Sequence, residues 1–167
     1  MTMTKACRRF ITPFLRVLAL GATATATAVM AMSHESTSVL NLTLEAKYSN
    51  TPAFRYFMIA EAIAGSYSIL ALLLSCKGLL SHLVLMMDMV ISMLLCSSIS
   101  AALAIAQVGK KGNTHAGWAP ICGQVPKFCD EVTGALIAGF IASALYLLLV
   151  LSSLHFPVSS LPMTTKP

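Results

Sequence analysis

Long apolar runs, and not alternation or a single apolar stripe, organise this chain. Residues 13–32, 56–76, 82–108 and 133–154 carry almost no charge. Each run approaches or exceeds the length of about 20 residues that a helix needs to cross a hydrocarbon core. Each is apolar on all sides, which predicts helices surrounded by lipid or by one another. Helix is required there because backbone groups in hydrocarbon must bond within their own segment, and no alternating β-barrel pattern is visible. The expected fold is all-α, an integral membrane four-helix bundle with short termini and two extracellular loops. Residues 1–12 form the N-terminus, 13–154 the transmembrane domain, and 155–167 an unstructured tail with Pro157, Pro162 and Pro167. Loops of residues 33–55 and 109–132, and a tight turn around Lys77, Gly78 and Ser81, connect the helices.

Composition agrees with lipid as the solvent. The chain is 57% hydrophobic and 10% charged, with mean hydropathy +0.80, whereas soluble domains carry about a quarter charged residues. Eleven Lys and Arg against six Asp and Glu give +5. No basic stripe with interleaved aromatics accompanies that excess, so a nucleic-acid partner is not expected. The cations are read as boundary residues facing lipid head groups. Phosphate loops and Cys/His metal spacings are absent from the sequence, and no cofactor is expected.

Lys5, Arg8 and Arg9 before an apolar run, with Ala22-Thr23-Ala24 beyond, also resemble a secretory signal with a cleavage site. Arg16 would break the core of such a signal, and the run continues to Met32, which favours an uncleaved first helix. Counting cations on alternate sides gives a tie: Lys5, Arg8, Arg9, Lys77 and Lys166 against Lys47, Arg55, Lys110, Lys111 and Lys127. The cluster ahead of the first helix usually dominates and puts both termini in the cytosol. Cys122 and Cys129, in the second long loop with Pro126 between them, have a spacing that closes a small disulfide loop, which suits an oxidising outer face. Unlinked thiols are the alternative. Cys7 and Cys76 fall at the cytosolic boundary, where thiols are palmitoylation candidates, and Cys96 is read as a small packing residue. Asn41-Leu42-Thr43 is a glycosylation sequon on the outer side.

Three charges fall inside the apolar runs. An ionised group near the bilayer centre costs about 2.5–3.5 kcal/mol on insertion scales. Arg16 and Asp88 lie at similar depth, within roughly 10 Å of the same end of helices that run in the same direction. An ion pair between them would fix the first helix against the third. The alternative has Arg16 snorkelling to head groups and Asp88 solvated or neutral, but Asp88 is too short to reach far and Leu83–Val90 around it is apolar. Glu61 is expected near the outer end of the second helix, satisfied by water or by Arg55. Small residues recur at helix-packing spacing: Ala135, Gly139 and Ser143 beside Gly134, Ala138 and Ala142 in the fourth run, Ala60, Ala64 and Ser68 in the second, Ser98, Ala102 and Ala106 in the third, Ala22 and Ala26 in the first. The two adjacent rows of the fourth run predict a broad flat face for a neighbouring helix of this chain or of another copy.

Several segments resemble the Casparian strip membrane domain protein family of plants, in its broader CASP-like branch. They are Leu15-Arg16-Val17-Leu18-Ala19 with Val29-Met30-Ala31, Ala46-Lys47-Tyr48, and Pro52-Ala53-Phe54-Arg55-Tyr56-Phe57-Met58-Ile59-Ala60. Asp88 with Ser97-Ser98-Ile99-Ser100-Ala101-Ala102 and Gly112-Asn113-Thr114-His115-Ala116-Gly117-Trp118 with Cys122 and Phe128-Cys129 complete the set. The resemblance implies four helices, cytosolic termini, homo- or hetero-oligomers and residence in the plant plasma membrane. It implies a scaffold that recruits cell-wall-modifying machinery such as peroxidases, with Arg16 and Asp88 as the family arginine and aspartate. Glu61 and the first loop, residues 35–44, depart from the strip-forming members.

Two function classes follow. The first is an oligomeric membrane scaffold; the second is a small transporter or channel subunit with Asp88 and Glu61 on a polar path. No span carries the internal proline and unwinding signals of transport sites. An enzyme is not expected: His34, His82, His115 and His155 are scattered, and Asp130-Glu131 suits the start of the fourth helix, near its positive dipole end.

Overall fold

The computed structural model describes residues 2–39, 42–74 and 81–158, with side chains described for residues 11–36, 45–73 and 83–154. Four helices dominate: α1 (Thr2–Met32), α2 (Pro52–Leu74), α3 (Ser81–Lys111) and α4 (Pro126–Val158). Each contains an apolar span, Ile11–Met32, Pro52–Leu73, Leu83–Lys111 and Pro126–Leu154. Side chains such as Leu73 (72% exposed) and Met93 (71%) point away from the bundle. Outward apolar faces on all four helices are what a lipid-embedded bundle presents and water does not tolerate.

The helices are longer than the apolar runs. α2 and α4 begin at Pro52 and Pro126, where a first-turn proline loses no hydrogen bond and has its φ preset. The acidic pair Asp130-Glu131 therefore falls in the second turn of α4, not at its start. Residues 155–158 continue α4, and the N-terminal segment is helical from Thr2.

The first long loop is not irregular. It folds as an antiparallel hairpin, β1 (His34–Val39) and β2 (Leu42–Lys47), with His34 opposite Lys47 and Val39 opposite Leu42. The period-2 alternation of Leu40, Leu42, Leu44 and Ala46 with Asn41, Thr43, Glu45 and Lys47 carries that signal in the sequence.

Each helix packs mainly on its two neighbours in a closed ring, α1 on α2, α2 on α3, α3 on α4 and α4 on α1. The core has two layers. Towards the hairpin lie Ala26, Met30, Phe54, Phe57, Ile99, Phe128 and Leu136; towards the other end lie Ala19, Ala64, Ile91, Leu95, Tyr146 and Leu149. Small residues thin the ring where opposite helices approach. Ala60, Ala64 and Ser68 are buried on α2, Ser98 and Ala102 on α3, and Ala135, Ala142 and Ser143 on α4. Gly139 is buried among them, whereas Gly134 faces outward and Ala138 is half-buried, so the small face of α4 within the chain is narrower than two full rows.

Gly139 sets the approach of α4 to α2 across the ring. A Cβ there would lie 2.7 Å from the Phe57 ring and 2.8 Å from Glu61 Oε1, whereas one at Gly134 would meet nothing within 4 Å. Gly139→Ala is expected to destabilise the bundle by about 1–3 kcal/mol, and Gly134→Ala to leave it unchanged or slightly more stable. Unfolding of the two variants in bicelles checks this; equal stabilities would show that α2 and α4 do not touch there.

Candidate functional site

The four helices converge on a polar cluster inside the bundle. Arg16 of α1 and Asp88 of α3 are each 1% exposed. Each sits five residues inside its span, about 8 Å from the same end at helical rise. Arg16 Nη2 donates to Asp88 Oδ2 at 2.6 Å. α1 and α3 are not ring neighbours, so the contact crosses the diagonal, and the long arginine side chain is what spans it.

Tyr67 of α2 completes the group. Its hydroxyl lies 2.8 Å from Asp88 Oδ1 and 3.0 Å from the Val84 carbonyl, and its single proton is shared between those acceptors. Its ring also underlies the Arg16 guanidinium, with Cζ 5.6 Å from the centroid. That contact partly compensates Arg16 Nε and Nη1, which have no hydrogen-bond partner among the described residues. Both Asp88 oxygens are thus engaged, one by a cation and one by a phenol.

A second group joins α2 to α4. The Tyr146 hydroxyl donates to the Ala64 carbonyl at 2.6 Å, and Ser68 Oγ lies 2.7 Å from the same phenol oxygen. With its own proton committed to Ala64, Tyr146 accepts from Ser68. Nearby, Cys96 Sγ is 3.3 Å from Ser143 Oγ, linking α3 to α4; the rest of Cys96 is exposed, so it is less a core residue than its place in α3 suggests. Tyr67 and Tyr146 are not among the residues that the sequence marks as candidates. Their signal is a hydroxyl inside an uncharged span, where a buried phenol needs a partner.

Glu61 corrects the expectation that Arg55 satisfies it near the outer end of the helix. It is fully buried, and neither carboxyl oxygen has a partner among the described residues, while Arg55 is exposed. The reason is helical phase: Glu61 shares the inward face of α2 with Phe57, Ala60, Ala64 and Ser68, while Arg55 lies outside it.

The hairpin end is tied covalently and by hydrogen bonds. Cys122 and Cys129 form a disulfide with Cα atoms 5.7 Å apart. Glu35 Oε2 of β1 accepts from the Phe128 backbone N–H at 2.9 Å, placing a carboxylate on the open donors of the first turn of α4. Phe128 packs edge-to-face on Phe54, with ring centroids 6.1 Å apart. The loop after α3 turns at Gly112 (φ +69°), where a Cβ would lie 2.6 Å from the Trp118 carbonyl. Nothing near Glu35 in the sequence signals this role, because its partner is 93 residues away. Asn41 and Cys76 lie outside the described residues, and the Cys7 side chain lies outside them too. Among the described residues no group of His, Cys, Asp and Glu could hold a metal ion.

Residues 5–145 match the family model of the Casparian strip membrane protein domain. The chain belongs to this family. Relatives in the CASP-like branch include CASP-like protein 1C3 of Populus trichocarpa, 59% identical over 158 residues and covering 95% of this chain and 97% of that one. CASP-like protein 1C1 of Vitis vinifera is 58% identical over 155 residues, 93% of this chain and 98% of its own. CASP-like protein 1C1 of Arabidopsis thaliana is 56% identical over 153 residues, 92% of this chain and 93% of its own. No solved structure matches. Within this CASP-like membrane protein, Arg16, Tyr67, Ser68, Asp88, Cys96, Ser143 and Tyr146 bond across helices, whereas buried Thr23, Ser33 and Ser98 bond back to carbonyls three residues earlier.

Glu61, whose carboxyl has no partner among the described residues, yields a test. Exchanging a buried carboxyl without a partner among the described residues for an amide of the same shape should cost little stability. Glu61→Gln is expected to change thermal unfolding in bicelles by less than about 1 kcal/mol. A loss of more than about 1 kcal/mol would reveal a bonded partner.

Proposed function

We propose that this chain is an oligomeric plasma-membrane scaffold, multi-pass with both termini cytosolic, and not an enzyme. The observation that carries the proposal is the closure of Asp88 by Arg16 and Tyr67. Charges placed in hydrocarbon usually mark transport paths or relays, but here the acid and the base are spent on each other as a tie between helices. A bundle held in this way presents a rigid body with apolar outer faces to lipid and to further copies. Homo- or hetero-oligomers with related membrane proteins would form through those faces and the outward small residues such as Gly134.

In this reading the hairpin and the loop closed by Cys122 and Cys129 face the cell exterior, where disulfides persist. They are the surfaces available to extracellular wall-modifying enzymes, with Asn41 as a glycosylation acceptor. Cys7 and Cys76 lie on the cytosolic side as palmitoylation sites. The transporter alternative rests on Glu61, whose carboxyl is buried without a partner among the described residues. It requires a path that reaches Glu61, and Gly139 and the Phe57 ring close against that side chain.

Photobleaching of a fluorescently tagged copy in plant plasma membrane distinguishes the two. A scaffold recovers slowly, over minutes, and Asp88→Ala, which breaks the tie, speeds recovery or blocks surface delivery. Free diffusion of the unaltered protein, together with ion or solute flux in liposomes abolished by Glu61→Gln, would establish the transporter instead.

A further inference from the structure

A cavity of about 510 Å³ lies at the disulfide end of the bundle, between the last turns of α3 and the first turns of α4. That volume is within the range of roughly 300–1,000 Å³ typical of small-molecule sites. Buried Phe54 and Val132 and half-buried Ala106 form its inner lining, and exposed Ile105, Lys110, Trp118 and Asp130 line its outer part.

The walls are fixed by the chain itself. The Gly109 carbonyl accepts from the Ile121 N–H at 2.9 Å and from the Cys122 N–H at 3.3 Å. The disulfide then fastens Cys122 to α4. Asn113 and Trp118 exchange backbone hydrogen bonds at 2.8 and 2.9 Å, which sets the position of the indole at the rim.

Depth decides what can enter. Ile105 and Val132 lie inside the apolar spans of α3 and α4, whereas Lys110 sits at the end of the α3 span. The cavity therefore runs from the hydrocarbon to the head-group level of one leaflet, where exposed tryptophan concentrates. The amphiphile at high concentration at that depth is the bilayer lipid. Lys110 and Asp130 carry opposite charges, and neither has an ion-pair partner within 4 Å among the described residues. A sterol hydroxyl makes no use of that pair, and an anionic head group satisfies only the lysine. A phosphate joined to an ammonium group satisfies both, and the face of Trp118 adds a cation–π surface for the ammonium.

We propose that this cavity binds one phospholipid with a zwitterionic phosphate–ammonium head group. The phosphate sits on Lys110, the ammonium lies against Asp130 and Trp118, and an acyl chain fills the space over Ala106 and Val132. The site is independent of the scaffold reading and would exist equally in a transporter.

Trp118 is the one tryptophan of the chain, so its fluorescence reports the rim directly. Full-length protein in maltoside micelles is titrated with diheptanoyl-phosphatidylcholine, diheptanoyl-phosphatidylglycerol and further maltoside. The expected result is a saturable emission shift with the choline lipid, at least about tenfold tighter than with the other two. Lys110→Gln and Asp130→Asn, both at exposed positions that leave the bundle intact, each weaken the choline lipid about threefold. Ala106→Phe, which fills the inner part, removes saturation, and Lys127→Gln, outside the cavity, changes nothing. Equal response to all three amphiphiles, preference for the anionic lipid, or titrations unmoved by Lys110→Gln and Asp130→Asn would overturn the proposal. A shift that depends on protein concentration and not on lipid would identify a second copy as the occupant, and would overturn it too.

Discussion

The bundle depends on two opposite charges held in hydrocarbon at the same depth on helices that are not ring neighbours. Arg16 reaches across the diagonal from α1 to Asp88 on α3. The cost of desolvating either charge alone is several kcal/mol, and their mutual attraction offsets it only when geometry is good and the remaining valences are met. Tyr67 meets one of them on Asp88 and lends its ring to Arg16. The contact therefore fixes more than a distance: sliding α1 by one residue would strand both charges, so the axial register of the ring follows from it.

The other diagonal uses the opposite device. α2 and α4 approach through absence of side chain at Gly139 and through neutral hydroxyls on Tyr146 and Ser68. Without a hydrophobic drive between helices in lipid, close backbone approach and interhelical hydrogen bonds supply the association. Glu61 stands against this pattern, a carboxyl turned into the same contact with no hydrogen-bond partner among the described residues. Beyond the bilayer the chain changes strategy again. There a disulfide, a hairpin and the Glu35 carboxylate at the start of α4 bind the loops to the helix ends.

Four spans and their helical nature are plain in the sequence because hydrocarbon leaves the backbone little else. Arg16 and Asp88 stand out for a related reason: a charge among leucines and methionines is expensive, and an aspartate is too short to escape. What sequence hides is angular position. Glu61 and Arg55 look like neighbours six residues apart, yet helical phase turns one inward and the other out. Tyr67 and Tyr146 carry no mark in the sequence that says which way their hydroxyls point, and both bond inside the ring. The hairpin is faint in the sequence although Leu40, Leu42, Leu44 and Ala46 alternate with polar residues, because a short amphipathic pattern between two long apolar runs resembles a loop. Helix starts are hidden for a similar reason: hydropathy marks only the apolar run, whereas α2 and α4 begin ahead of it at Pro52 and Pro126.

A double-mutant cycle on Arg16→Met and Asp88→Leu, read from reversible unfolding in bicelles, tests the central tie most directly. Each single replacement leaves the other charge buried and alone, and is expected to cost about 3–5 kcal/mol. The double replacement removes both charges and is expected to recover most of that loss, giving a coupling well above about 1 kcal/mol. Single variants that unfold like the original protein, or losses that simply add, would mean that the two residues do not hold the bundle together.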